Sequence, residues 1–285
     1  MFSKYFGNFL LNKGIITSNQ LNEVFQEEKQ SHVKLGILAL NKGFMTLEQI
    51  NEVNEAQRAT DRRFGEIAIQ REYLSIDKLE ELLTDQKTSY LLISQILLDK
   101  NLVTMDQISK LLFSYKNEYG LTNEDLQELT NDNVEKIIES SLNLEKPLSD
   151  YIVMLVKNIE RHFHEKAYVQ ELKNGIDRYP LVAYQQIVGE YNLDTYLMLS
   201  EPDFLKVASI FAEEELKEID ELSISAVLEF LNLHNGIFIV NEVDKGFDLS
   251  LLVQKLVEPS LAQEEVSYFT ILFSDIELIV GLQKR

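Results

Sequence analysis

Four residues within the stretch ISAVLEFLNLHNG have types and spacing that suit chemistry: Ser225, Glu229, Asn232 and Gly236. At about 100° per residue they fall near 0°, 40°, −20° and 20° around a helix. That is one narrow polar stripe on a segment otherwise apolar nearly all round. An Asn amide both donates to water and accepts from it, and a Glu three residues earlier shares its helix face. The competing reading is a buried polar seam, its side chains bonded to backbone or to one another.

The elements around the stripe must present it. After Pro147, LSDYIVMLVKNIERHFHEKA reads as a strongly apolar helix. YPLVAYQQIVGEY and DTYLMLS read as two strands around a turn at Gly189–Asp194. EPDFLKVASIFAEEE is a helix with Pro202 near its start, and the stripe helix follows. KGFDLSLLVQKLV and SYFTILFSDIELIVGLQ then read as apolar strands, the last alternating poorly, as a central strand does. Helix, hairpin, two helices and further strands make an α+β domain over 147–285.

Composition bounds the rest. The 285 residues suit two domains at about 150 residues each. There is no Cys, so disulfides, thiolate metal sites and Cys nucleophiles are excluded. The four His residues (32, 162, 164 and 234) form no ligand-spaced cluster, and no metal site is expected. Through Lys146 the chain carries 16 basic and 23 acidic residues (−7), then 11 and 24 (−13). Both halves repel a nucleic-acid backbone or an anionic membrane surface, so neither is an expected partner. The N-terminus lacks a signal-peptide pattern, and no uninterrupted apolar window approaches membrane-spanning length. A cytoplasmic protein is expected.

The N-terminal part repeats. Copies begin at Phe6, Leu35, Phe64 and Ile93, 29 residues apart each time. Leu10/Leu11, Leu40, Ile69 and Leu97/Leu98 supply the buried face of a short first helix. Gly14 and Gly43 fall where that helix ends, with Glu72 and Asn101 in the later copies. Thr17, Thr46, Ser75 and Thr104 form an N-cap column. Gln20, Gln49 and Gln107 complete capping boxes, with Lys78 the exception. Leu21, Ile50, Leu79 and Ile108 start the apolar face of the second helix. Each copy is therefore a helix, a tight turn and a helix, needing stacked neighbours to bury its face. GLTNEDLQEL, from Gly120, reads as a degenerate fifth half-copy, and a connecting helix runs towards Pro147. The expected plan is repeats over 1–118, connecting helices over 119–146 and the α+β domain from 147.

The repeats resemble the N-terminal helical domain of type II secretion ATPases, including its MshEN variant, whose paired motifs bind cyclic di-GMP. That pattern has a basic residue, Leu-Gly, a later Gly and a closing Gln. Repeat two supplies Lys34, Leu35, Gly36, Gly43 and Gln57; repeat three supplies Arg63, Phe64, Gly65 and Gln86, with Glu72 at the later Gly. Repeats one and four depart from it, with Tyr5 and Glu28, then Leu92 and Tyr115. The resemblance implies that the middle copies bind the dinucleotide, Lys34 or Arg63 reaching a phosphate. The alternative is that Gly36 and Gly65 serve close helix packing.

The C-terminal half resembles the CheC/CheX family, phosphatases of chemotaxis-type response regulators. Its surface helix carries Asp/Ser-x-x-x-Glu-x-x-Asn followed by x-x-x-Gly, and Ser225, Glu229, Asn232 and Gly236 match each column. The Pro usual in the following strand is absent; Leu251 and Leu252 stand in that neighbourhood. The first helix, Asp150 to Lys166, has no second Glu-x-x-Asn, which is more like single-site CheX than two-site CheC. The resemblance implies hydrolysis of a receiver's aspartyl phosphate. Asn232 orients the water, Glu229 pairs with a receiver Lys, and the receiver supplies the Mg²⁺, so this chain binds no cofactor for that reaction. It also implies a homodimer. The second expectation is a non-catalytic adaptor or sensor that docks a protein under cyclic di-GMP control.

Overall fold

Repeated residue columns make repeated helices. The computed structural model describes residues 1–30, 35–59, 63–85, 89–142, 144–172, 176–259 and 266–285. The four copies give α1 (Phe2–Asn12) and α2 (Ser18–Gln30), α3 (Leu35–Asn41) and α4 (Leu47–Ala59), α5 (Phe64–Gln70) and α6 (Ile76–Asp85), α7 (Ser89–Asp99) and α8 (Met105–Glu118). The half-copy gives α9 (Asn123–Thr130). The turn column is left-handed in every copy, with φ of 68° at Gly14, 67° at Gly43, 58° at Glu72 and 54° at Asn101. Thr17, Thr46 and Thr104 each accept from the amide three residues on, and the Gln there returns a bond to the cap amide. Ser75 accepts from Lys78 N alone, because Lys offers no acceptor to return. Thr122 and Asp125 build the same box in the half-copy.

The copies pair rather than stack in chain order. Lys42 bonds Glu81 at 2.6 Å and Arg71 bonds Glu52 at 3.2 Å. Each position is the other's equivalent one repeat along, so repeats two and three face each other reciprocally. α3 packs on α6 and α4 on α5. Repeat one packs on repeat four, α1 and α2 lying on α7. Lys100 reaches Glu27 at 3.0 Å and Glu23 at 3.8 Å, while the reciprocal position 110 is a Lys, so Lys13 turns to Glu118 at 2.6 Å. The deepest core columns are Phe9/Leu38/Ile67/Ile96 and Leu10/Ala39/Ala68/Leu97. Of the set expected as the buried face, Leu10 and Leu97 are buried, whereas Leu11, Leu40, Ile69 and Leu98, one residue round the helix, are half-buried.

The chain divides into two compact units between Asn133 and Val134. The segment 119–146, expected as a connector, is divided: α9 falls in the first unit and α10 (Val134–Leu142) in the second, where it packs on α11 (Leu148–Phe163). The second unit continues with β1 (Tyr168–Glu171), β2 (Leu181–Gly189), β3 (Leu193–Leu199), α12 (Glu201–Ala212), α13 (Glu221–Asp244), β4 (Leu249–Leu251), β5 (Lys255–Val257), β6 (Ser267–Phe273) and β7 (Ile276–Lys284). The fold is all-α followed by α+β. Its sheet is antiparallel throughout, ordered β1-β6-β7-β3-β2-β4, with β5 also on β2.

Three features correct the strand expectations. KGFDLSLLVQKLV is not one strand but two short ones, β4 and β5, pairing with separate stretches of β2. SYFTILFSDIELIVGLQ is a hairpin, β6 and β7, turning at Ser274 (φ 49°), not one strand. β1 was not expected; it completes the edge beyond β6. β7 itself lies between β3 and β6, as its unbroken apolar character requires.

α13 packs on β2 and β4, against α11 and α12. Phe230 and Phe238 are fully buried, and Phe163 meets both Phe230 and Phe273 edge-on. Among the described residues α13 is the one helix long and apolar enough to cross a membrane, and these contacts account for its apolar surface. At its far end Lys245 bridges Asp150 (2.7 Å) and buried Glu242 (2.6 Å), which also accepts from Tyr191 Oη at 2.7 Å.

β2 and β4 can pair only because Gly189 has φ of 151° and lacks a Cβ, which would lie 2.1 Å from the Asp248 carbonyl oxygen. Gly189→Ala is expected to cost about 2–3 kcal/mol in urea denaturation followed by circular dichroism.

Candidate functional site

The stripe lies on the outside of α13. The helix starts at an N-cap, Asp220, which accepts from Leu222 N (3.1 Å) and Ser223 N (2.9 Å). From that start Ala226, Val227, Phe230, Leu231, His234 and Phe238 turn inward. Ser225 and Glu229 are exposed, and Asn232 and Gly236 are half-buried. Asn232 Nδ2 stands 3.5 Å from Glu229 Oε2, the limit of a hydrogen bond. All four residues therefore come together on one accessible face. A Cβ added at Gly236 would meet nothing within 4 Å. This glycine weakens the helix by about 1 kcal/mol with no packing return inside the chain.

A buried polar seam also exists, next to the stripe rather than in it. Gln185 Nε2 donates to Asn232 Oδ1 and to the Leu252 carbonyl, each at 2.9 Å. Gln185 Oε1 accepts from Asn235 Nδ2 at 2.9 Å, and the same nitrogen donates to Thr195 Oγ1 at 2.9 Å. Thr195 Oγ1 donates to the Gln185 carbonyl at 2.7 Å, and Tyr151 Oη donates to Asn235 Oδ1 at 2.7 Å. Gln185, Thr195, Asn235 and Tyr151 are all inaccessible to water. Helix periodicity does not single them out. The available signal is Gln185 itself, a polar residue between Ala183 and Ile187 on the inward face of a strand.

The strand geometry explains the Leu252 contact. β4 pairs with Ile187–Gly189 and β5 with Val182–Tyr184, so the edge of β2 is interrupted between them. Leu252 N donates to the Gln186 carbonyl at 2.9 Å, and the Gln185 side chain takes up the Leu252 carbonyl. Val253 beside it is 83% exposed.

His234 belongs to the interior. Its Nδ1 lies 2.9 Å from Asn158 Nδ2, which makes Nδ1 the acceptor, and its Nε2 has no partner. Burial pushes its pKa down to about 3. His162 packs on the Phe211 ring, and His164 caps α11 at φ 56°. Among the described residues no three His, Asp or Glu side chains form a group able to hold a metal.

In the repeats, Leu35, Gly36, Phe64 and Gly65 lie in the core shared by copies two and three. A Cβ at Gly36 would lie 3.0 Å from Ile50 Cγ2 and 3.2 Å from Phe64 Cζ, and one at Gly65 2.9 Å from both Leu79 methyls. Their close helix packing is evident. Arg63 is the exposed N-cap position of α5, and Gln57 is exposed on α4. Lys34 and Gln86 lie outside the described residues. In the other pair, Tyr115 fills the interior against Phe2, Phe6 and Phe9. Burial raises the Glu28 carboxyl above its usual range.

No family model and no curated protein matches the chain. Solved structures of chemotaxis proteins match its C-terminal half. A chain of the CheX–CheY–BeF3–Mg²⁺ complex from Borrelia burgdorferi is 14% identical over 48% of this chain and 97% of its own, with a TM-score of 0.42. CheX from Vibrio vulnificus is 15% identical, covering 47% of this chain and 96% of its own, TM-score 0.39. A CheC-like superfamily protein from Shewanella sp. PV-4 is 14% identical, covering 48% and 96%, TM-score 0.40.

The buried His234 sets a pH dependence. The unfolded chain takes up a proton below about 6.5 that the folded protein refuses until about 3, so stability is full above pH 6.5 and falls below it. Between pH 7.5 and 5 the loss from this residue is about 2 kcal/mol. Urea titrations at both values should show it, and His234→Gln should flatten the slope even if the variant is less stable throughout.

Proposed function

We propose that the C-terminal unit hydrolyses the aspartyl phosphate of a chemotaxis-type receiver domain, with α13 as the docking and catalytic helix. The observation that carries this reading is that Ser225, Glu229, Asn232 and Gly236 share one accessible face of a helix whose other faces are buried. An acyl phosphate is already labile, so such a catalyst mainly has to place water in line with phosphorus. Asn232 does that work without adding charge beside the phosphoryl group. Water oxygen bonds to phosphorus, the bond to the aspartyl oxygen breaks, and the carboxylate leaves as the water's protons pass to phosphate and solvent. The receiver contributes the Mg²⁺. Glu229 docks against a cationic side chain of the receiver, and Gly236 leaves room for the partner to approach.

The test is phosphate release from phosphorylated receivers of the same genome, with and without this protein. Acceleration is expected, and Asn232→Ala should reduce it on the order of 10²-fold at unchanged circular dichroism. Gly236→Ala separates the roles: it should stabilise the fold by about 0.5–1 kcal/mol yet slow the reaction by crowding the interface. No acceleration with any receiver overturns the reading.

A second reading concerns the repeats. Copies two and three, which carry the matching residues, face each other reciprocally through Lys42–Glu81 and Arg71–Glu52. A pseudo-two-fold pair suits a two-fold symmetric ligand, which favours cyclic di-GMP acting on a docking module. Calorimetry at high micromolar dinucleotide should then give heat that Arg63→Ala removes. A flat titration ends this reading.

A further inference from the structure

We infer that Gln185 is a positioning residue that fixes which end of the Asn232 amide faces the partner; this rests on the hydrolase reading above. An amide's two ends differ in chemistry but not in shape, so their assignment must come from the hydrogen bonds around them.

Here the assignment follows from one backbone carbonyl. The Leu252 carbonyl oxygen can only accept, so the Gln185 atom 2.9 Å away is the donor, Nε2. That same nitrogen lies 2.9 Å from the Asn232 amide, whose facing atom must therefore be the acceptor, Oδ1. Both hydrogens of the Gln185 amide are committed. Its Oε1 accepts from Asn235 Nδ2. Asn235 is fixed in turn, because its Oδ1 accepts from Tyr151 Oη and its Nδ2 donates to Thr195. Thr195 has its own hydrogen on the Gln185 carbonyl, so it can only accept from Asn235. No water reaches Gln185, Thr195, Asn235 or Tyr151. Rotating Gln185 sets its Oε1 against the Leu252 carbonyl, rotating Asn235 sets its Oδ1 against Gln185 Oε1, and rotating Asn232 sets its Nδ2 against Gln185 Nε2.

The consequence is directional. Asn232 turns its NH₂ outward, beside Glu229 Oε2 at 3.5 Å, and keeps one lone pair of Oδ1 for a water proton. Donation from Gln185 also polarises that oxygen. Because one nitrogen holds both Asn232 and the Leu252 carbonyl, it keeps the amide in register with the exposed Leu252–Val253 connection. Among the described residues no hydrogen bond joins Glu229 to Gln185, so its docking role is separate.

Two measurements on the full chain test this. In wild-type protein the Gln185 side-chain NH₂ should exchange with solvent at least about 10²-fold more slowly than that of exposed Gln57, while the Asn232 NH₂ exchanges rapidly. Exchange of Gln185 as fast as Gln57 overturns the proposal, with or without any phosphatase activity. Second, Gln185→Met should lower kcat for receiver dephosphorylation about 10- to 30-fold and leave KM unchanged. In an Asn232→Ala background the same substitution should change kcat by less than about twofold, since Gln185 acts through Asn232. A merely structural role would lower kcat equally in both backgrounds, or raise KM, and either result overturns the assignment. A wild-type chain inactive on every receiver would sink the hydrolase reading, while amide exchange would still decide the orientation of Asn232.

Discussion

The second unit depends on one carboxamide with no access to water. Gln185 sits on the inward face of β2, where an apolar residue would pack with less risk, and leaves none of its hydrogen-bonding groups unmade. Through it the sheet edge, the buried side of α13 and the half-buried Asn232 are joined. A buried polar group of this kind is costly when half satisfied and strongly specifying when complete. Here it is complete, and it ends at an accessible amide rather than at another core residue. That termination is what separates a surface site from a satisfied interior.

The helical unit is governed by a different constraint, a 29-residue period that no single copy can satisfy. Each copy makes its own turn and caps locally, but its apolar face needs a partner. Reciprocal ion pairs across copies two and three are the mark of a pseudo-two-fold solution. In the other pair the same position carries Lys110, and the arrangement is maintained by packing of Tyr115 among Phe2, Phe6 and Phe9 instead. Exposed ion pairs contribute little to stability. They report the symmetry more than they hold it.

What the amino-acid sequence discloses follows from how local each requirement is. The left-handed turn column and the N-cap column are read without any tertiary contact, and each is present in the structure. Ser225, Glu229, Asn232 and Gly236 are legible for the same reason, since helix periodicity alone places them together. The pairing of copies is not legible from periodicity, because the period is equally consistent with stacking in chain order. Gln185 escapes because it lies 47 residues from Asn232, in another element. The β6–β7 turn escapes because Ser274–Asp275 carries no Gly, although Ser274 adopts the left-handed conformation Gly usually supplies. β1 escapes because its Gln170 and Glu171 dilute the apolar signal, while its pairing with β6 is non-local.

Docking through α13 is tested by chemical-shift mapping of the isotopically labelled chain with a beryllofluoride-activated receiver and Mg²⁺. Perturbations are expected to concentrate at Ser225, Glu229, Asn232 and the Leu252–Val253 connection, and to be absent when beryllofluoride is withheld. Perturbations confined to the helical repeats, or none with any activated receiver, would contradict it.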